Sequence, residues 1–452
     1  MAFTPQRLLI SLAICMATVA CTPASIRDTA TPASTTQIHP SSTVARQPVQ
    51  ANWWQTFNDP LMTALIQEAL QASPDIKTAQ ASLRAARAQR VTAGASLLPS
   101  LSTSASARRS DGKDSYSANL DASWEADIFG GNHLADKAAA ADLQATQASL
   151  EDVKASLAAE VASSYVNLRL AQARLAISRQ SLAARDETVR LIGLKQQAGL
   201  ASGLEVEQSK LSLGQTQAQL PALESNISQT QHALAILTGK EPSALNSRLA
   251  AAKPIPAASG QLLNNIPANA IRQRPDIRAA EYKVTAAALR VGEAKANLYP
   301  SFNLGGSLNF SSLSLADLLD TSTMVRSLLA SISAPLFDGG RLKQQVEAKD
   351  AAREQAVASY QKAVLTALKD VANAFASLQA NREQQPILAN NVALARSAEN
   401  LAQLSYHAGT ADFQNVLEAQ RSVLSAQESQ LAAQAENTQA MISLYKAIGG
   451  AW

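Results

Sequence analysis

The amino-acid sequence predicts a mainly α-helical, duplicated chain in which very long helices alternate with pairs of β-strands. Three observations predict it. The first is an internal repeat: Ser73-Pro74-Asp75-Ile76 returns as Arg274-Pro275-Asp276-Ile277 and Leu98-Pro99-Ser100 as Tyr299-Pro300-Ser301, both 201 residues on. Glu160-Val161-Ala162 returns as Asp370-Val371-Ala372 at 210. Order is kept while the offset drifts slowly, as two copies of one unit of roughly 200 residues require. The second is a heptad pattern sustained far beyond the needs of a globular core. The third is composition: 46% of the 452 residues are hydrophobic but only 4% are aromatic, a profile of Ala, Leu and Val packed between helices. Basic and acidic side chains nearly balance, 39 against 36, without a long like-charge run, so nothing in the charge points to nucleic acid.

The chain opens with Arg7, an apolar run from Leu8 to Ala20, and Thr18-Val19-Ala20-Cys21. Residues 1–20 read as an export leader, too short to span a bilayer as a helix with those flanks. Its end resembles the lipobox of bacterial lipoproteins, with Thr18 in place of the usual Leu, and that resemblance implies a covalent lipid on Cys21; an ordinary leader cut at a small-residue site is the alternative. Cys15 falls inside the leader, so Cys21 is the single cysteine left and an internal disulfide is ruled out. No cofactor other than that lipid is expected. Thr22 is not the Asp that tends to hold Gram-negative lipoproteins at the inner membrane, which makes the outer membrane the default address. Residues 21–50, rich in Thr, Ser, Pro and Ala, read as a lipidated flexible tether.

Residues 51–245 then form the first repeat and 266–452 the second, joined by a linker at 246–265. Each repeat opens with a helix of roughly 35 residues, about 60–96 and 266–297, with Leu61, Leu65, Ile66 and Leu70 on one face and Pro99 or Pro300 at the end. The period then changes. Residues 100–108 and 115–129, and 301–313 and 327–337, alternate small polar residues with Leu, Ala, Ile, Phe or Trp, most clearly at Asn119-Leu120-Asp121-Ala122-Ser123-Trp124. Strands of about ten residues with turns such as Asp111-Gly112-Lys113 fit outer-membrane strands, and also fit soluble hairpins. Four strands cannot close a membrane barrel, whose minimum is about eight, and an open edge in lipid leaves backbone groups unpaired. If these strands span, several chains share one barrel.

Each hairpin leaves through a glycine pair, Phe129-Gly130-Gly131 or Phe337-Asp338-Gly339-Gly340, into a long helix. Val161, Leu168, Leu175, Leu182 and Val189 fall every seven residues, with Leu143, Leu150 and Leu157 four out of phase; Val357, Val364, Val371 and Leu378 repeat the pattern. A helix over 132–196 would run roughly 100 Å. The returning helices, about 204–237 and 413–448, are shorter. Pro221 should kink the first of these, and Pro386 should kink or break the second long helix. Abundant Ala and Ser let neighbours approach closely, so side-by-side packing into a wall is expected.

A family resemblance is carried by Trp54 with Phe57-Asn58-Asp59-Pro60-Leu61, by Trp124-Glu125-Ala126-Asp127-Ile128-Phe129-Gly130, and by Gln219-Leu220-Pro221-Ala222-Leu223-Glu224. Leu237-Thr238-Gly239-Lys240, Arg274-Pro275-Asp276-Ile277, Pro335-Leu336-Phe337-Asp338-Gly339-Gly340-Arg341 and Leu444-Tyr445-Lys446-Ala447-Ile448-Gly449-Gly450-Ala451-Trp452 extend it over nearly the whole mature chain. The chain resembles the outer membrane factors of tripartite efflux pumps, the TolC and OprM group, and more closely their NodT-like lipoprotein branch. The resemblance implies a homotrimer in which each chain gives four strands to one twelve-stranded outer-membrane β-barrel, continuous with a long periplasmic α-helical barrel. It places the helix termini and the segment near residues 240–265 in a belt around that barrel. It implies a passive exit duct for drugs or other small molecules, docked onto a periplasmic adaptor protein and an RND-type inner-membrane transporter. The exit duct of a type I protein secretion system, and a non-conducting coiled-coil spacer of the envelope, are the alternatives. Nucleophile motifs, Gly-rich phosphate loops and paired catalytic carboxylates do not occur, and His39, His133, His232 and His407 lack metal-ligand spacing, so the sequence supports no enzymatic reading.

The stretch 406–421 interrupts two long helical patterns, as does 195–208 in the first copy. The resemblance assigns the periplasmic constriction to Asp412, Gln414 and Glu418, with Tyr406 and Arg421 in neighbouring latching contacts. Three copies of a carboxylate drawn toward a threefold axis repel unless cations or Arg421 compensate, and such rings favour cations. The residues themselves also allow Asp412 to cap the helix starting near Phe413 and Glu418 to pair with Arg421 on one helical face. The first copy carries Ser202 and Gln208 at the matching sites, so the acidic groups lie in the second copy.

Overall fold

In the computed structural model, residues 52–258 and 271–449 are described, and over them both repeats share the order helix, two strands, long helix and shorter returning helix. The expected leader, Cys21, the tether, residues 259–265 of the linker and the expected helical start at 266 lie outside the described residues. The first repeat runs α1 (Pro60–Ala72), α2 (Pro74–Ala95), β1 (Ser100–Ser110), β2 (Lys113–Ala126), α3 (Gly131–Gln197) and α4 (Gly203–Leu237), followed by the short α5 (Asn246–Leu249). The second runs α6 (Pro275–Ala296), β3 (Ser301–Ser312), β4 (Met324–Ser333), α7 (Arg341–His407) and α8 (Phe413–Ala447).

The opening helix of the first repeat is two helices rather than one. Proline disfavours the α region in the residue before it, and Ser73 (ψ 136°) and Arg274 (ψ 131°) are accordingly extended ahead of Pro74 and Pro275. The Ser73 hydroxyl then accepts from the Asp75 amide at 3.3 Å and restarts the chain as α2.

Between β1 and β2, Asp111 (φ 51°) and Gly112 (φ 75°) form the two-residue left-handed turn that tight hairpins favour. The loop between β3 and β4, residues 313–323, is longer. That difference carries the repeat offset from 201 at the starts of β1 and β3 to 210 at the starts of α3 and α7.

The strands form one antiparallel sheet in the order β1-β2-β3-β4, so the two copies join at β2–β3, and among the described residues the outer strands β1 and β4 leave open edges. Register sorts the side chains by face. One face holds Leu101, Ala122, Gly306 and Leu328 in a row, then Trp124, Leu304 and Ala330, then Phe302 and Ile332. The other holds Ser102, Asp121, Ser307 and Ser327, with hydroxyl pairs Ser106–Ser117 at 2.8 Å and Ser307–Ser327 at 2.7 Å. A soluble hairpin would bury the apolar face, yet Leu328 is 81% exposed and Ile332 68%. A membrane strand has this two-sided character.

Helices α3 and α7, 67 residues each, run about 100 Å. Both Pro221 and Pro386 sit inside uninterrupted helices, so the break considered at Pro386 does not occur. One lost ladder bond and a crowded turn cost about 3 kcal/mol, which packing along so long an element offsets. The leucine seam is only partly realised: Leu150, Leu157, Val161 and Leu168 are buried, whereas Leu143, Leu175, Leu182 and Val189 are half-buried. The tightest line along the start of α3 is Ala138, Ala141, Ala145 and Ala148, spaced three and four residues apart. Alanine at those positions lets α3 lie close to α2 and α6, its neighbours along that stretch. No described helix is long and apolar enough to cross a membrane.

The main core lies at mid-length of α3. Trp53 stacks on Tyr445 at 5.4 Å between ring centroids, and α1 buries Met62, Leu65, Ile66 and Ala69 against Tyr165 and Leu168. Arg169, fully buried, donates to Gln172 Oε1 (2.6 Å), Ala251 O (2.7 Å) and Tyr165 Oη (2.8 Å), and the Tyr165 hydroxyl donates to Asp59 Oδ2 (2.7 Å). Gln172 Nε2 donates to Leu249 O (2.7 Å) and Thr438 Oγ1 to Pro256 O (2.6 Å). The segment after α5 is thereby strapped across α3 and α8 as a belt.

Candidate functional site

The end of the helices remote from the strands is built from two matching turns. Gly199 (φ 71°) and Gly409 (φ 73°) end α3 and α7 in the left-handed region. Leu200 N donates to Lys195 O (2.8 Å) and Thr410 N to Ser405 O (2.9 Å), closing each helix in the Schellman manner. Ser202 and Asp412 then occupy the N-cap positions of α4 and α8.

The two caps differ chemically. Ser202 forms a full capping box: its hydroxyl accepts from Glu205 N (3.2 Å) while its amide donates to Glu205 Oε2 (2.6 Å). Asp412 has the extended cap conformation (φ −73°, ψ 151°), but its carboxylate accepts no backbone N–H. The capping role allowed by the residues is therefore filled by backbone position alone, and the exposed Asp412 carboxylate is left for other partners.

Beneath the turns Ile192, Val206, Phe413, Val416 and Leu417 form a small apolar cluster, with Tyr406 packed on its edge 5.4 Å from the Phe413 ring. The Tyr406 hydroxyl donates to Glu205 Oε1 at 2.9 Å, and Lys195 Nζ sits 4.4 Å above the Tyr406 ring. These contacts tie the second copy's turn to the first copy's. Burial, with Glu205 beside it, pushes the Tyr406 phenol up to about 12. Burial alone would raise Glu205; hydrogen bonds from Ser202 and Tyr406, together with the Lys195 charge, outweigh it and hold the carboxyl below its ordinary range.

Gln414, Glu418 and Arg421, four and three residues apart, form one exposed stripe on α8, opposite buried Phe413, Val416, Leu417 and Gln420. Gln414 Nε2 donates to Glu418 Oε1 at 3.3 Å. The ion pair between Glu418 and Arg421 that their spacing allows does not form: among the described residues Arg421 has no carboxylate within 4 Å. Arg421 instead lies near enough to Arg185 of α3 for its charge to act on that guanidinium. Arg185 is buried, donating to Ser181 Oγ (3.2 Å) and Ser212 O (3.1 Å), and burial first, then the Arg421 charge, lowers its pKa. Among the sequence-derived site residues, the structure brings Gln414, Glu418 and Arg421 into one stripe and ties Tyr406 to Glu205 of the other turn. Asp412 stands apart at the helix start, and Cys21 lies outside the described residues. Glu205 and Lys195 are the partners sequence reasoning missed. The spacing Ser202-x-x-Glu205 was legible as a capping box, but its tie to a tyrosine 201 positions away was not.

Residues 65–240 and 266–450 match the family profile described as outer membrane efflux protein. The chain belongs to the outer membrane efflux protein family. It is 31% identical over 430 residues to the pyoverdine export outer membrane protein OpmQ of Pseudomonas putida, covering 91% of each chain. It is 32% identical to nodulation protein T of Rhizobium leguminosarum bv. trifolii, over 82% of this chain and 81% of that one. The solved outer-membrane channel OprN superposes with a TM-score of 0.83 at 31% identity, over 90% of this chain and 94% of the OprN chain. This efflux protein therefore shares the fold of an outer-membrane channel, with the sheet at one end of its helices and the Tyr406–Glu205 hydrogen bond at the other.

Proposed function

We propose that this outer membrane efflux protein is the passive exit duct of a tripartite, RND-type pump, acting as a homotrimer with one twelve-stranded barrel. A periplasmic adaptor protein docks on the tip, and an inner-membrane transporter supplies the energy and selects the small-molecule cargo. The observation that carries this reading is the four-stranded sheet with an exposed apolar face and two unpaired edges, attached to helices about 100 Å long. Neither edge is tolerable in lipid until neighbouring copies close it. A lipid on Cys21 anchors the chain beside its barrel. At the tip, three copies bring Asp412 and the Gln414–Glu418–Arg421 stripe around the axis, where the carboxylates repel one another and attract cations.

Planar bilayers test this directly. Purified protein is expected to give discrete conductance steps, and replacing both Asp412 and Glu418 by Ala to change their size or their sensitivity to divalent cations. An unchanged channel moves the gate elsewhere, and a preparation without any steps supports the envelope spacer instead. Palmitate labelling of the same cells should vanish on Cys21→Ala; labelling that persists removes the anchor.

A further inference from the structure

We infer that each seam between neighbouring copies of the barrel holds a phosphate-bearing lipid headgroup of the outer leaflet, between Arg326 of one copy and Arg109 of the next. The inference rests on the three-chain barrel proposed above.

Arg326 is the third residue of β4 and stands in the row Thr103, Leu120, Leu308, Arg326, on the apolar face. Arg109, the last residue but one of β1, lies on the same face, ion-paired at 3.3 Å with Asp114 across the hairpin. Its neighbour Arg108 points to the serine-lined face opposite Ser115. Both Arg109 and Arg326 lie within three residues of the hairpin ends remote from the helices. Among the described residues, exposed Arg326 has no carboxylate within 4 Å. A guanidinium on a lipid-facing surface is unfavourable, least so near the headgroups, where a long side chain reaches polar partners.

Barrel closure brings the two arginines together. Strands in such barrels tilt roughly 35–45°. With strands about 4.8 Å apart and a rise of about 3.3 Å per residue, four strands accumulate a stagger of about four to six residues per copy. Because β1 begins at Ser100, only a stagger toward its outer end gives β4 a partner along its length. Matching of faces then sets Arg326 opposite Ala107 or Arg109 of the neighbouring copy. In either register the guanidinium groups are directly opposed or one same-face step apart.

Like charges so placed destabilise a strand pair, and Asp114 answers only one of them. A phosphate spanning both guanidinium groups offsets the repulsion with charge-assisted bonds. The site opens sideways onto Leu328, Ala330 and Ile332, an apolar track leading toward the helices, which suits acyl chains rather than a free anion.

Native mass spectrometry of the full-length protein in detergent with diphosphoryl lipid A tests it. Three-chain particles should retain about one lipid A per seam. The double change Arg109→Gln and Arg326→Gln should weaken retention roughly tenfold or more, Arg326→Lys should keep part of it, and Arg108→Gln should leave it unchanged. Equal retention by the double variant, an equal loss in Arg108→Gln, or full displacement by inorganic phosphate overturns the lipid seam while leaving the barrel standing. Absence of any three-chain mass sinks the barrel reading and the seam with it.

Discussion

Tyr406 is where the proposed gate at the tip can be tested at one atom. Its hydroxyl and Glu205 join two turns that the duplication made alike and that side chains made different. A net contribution of about 1 kcal/mol is expected for such a partly exposed hydrogen bond. Tyr406→Phe should therefore raise the fraction of time a channel is open in bilayers several-fold, and Glu205→Gln, which preserves the capping box, should add little once Tyr406 is gone. Independent, additive effects of the two changes would contradict a shared latch. Its pH dependence has a definite sign. Glu205 lies below its ordinary 4.5, so its contribution is present above that value and is lost as pH falls through the lower folded value. Tyr406 is raised from 10.0 to about 12, so its contribution holds below 10 and is lost as pH climbs toward 12. The latch should hold across neutral pH and loosen in acid. Sequence reading reached Tyr406 but not its partner, because a contact between residues 201 positions apart leaves no local periodicity to detect.

Among the elements, period and punctuation were legible and packing partners were not. Two-residue alternation, the Asp111-Gly112 turn and the glycine exits marked the strands and the starts of α3 and α7 to within a few residues. The division at Ser73 was missed because apolar spacing is helical on both sides of it; only the extended bias of the residue before Pro74 separates α1 from α2. Likewise, heptad leucines announced a seam, while the buried line at the start of α3 is made by alanines, too abundant along these helices to stand out as a seam. The junction of α4 with α1 gives an element-level prediction. Gly239 has φ +70°, and a Cβ there would stand 2.5 Å from Ala72 O. Gly239→Ala should cost about 2–4 kcal/mol through strain and backbone collision together. Gly199→Ala, with a similar φ but open space around it, should cost about 1 kcal/mol. Thermal unfolding of the two variants side by side checks the ranking, and equal losses would show that Ala72 gives way.

At the scale of the whole molecule, the sheet with open edges and the long helices have meaning only as parts of something closed by other copies. Register assigns one face to Leu101, Leu304, Leu328 and Ile332 and the other to serines and asparagines, so the chain already separates lipid from lumen before any neighbour arrives. What the described residues of one chain do not supply is a partner for β1 and β4. That requirement could be counted from four predicted strands, whereas the number of copies could not, since strand count per chain bounds closure without choosing it. Cysteines at the two edges measure it: Ala105→Cys on β1 combined with Ala330→Cys, or with Leu328→Cys, on β4. The edges of one sheet lie three strand spacings apart, about 14 Å, beyond the reach of a bridge within a chain. Closure of three copies into one barrel predicts that mild oxidation of membranes gives covalent species of two and three chains and nothing larger. Monomers alone, or a ladder continuing past three, would contradict it.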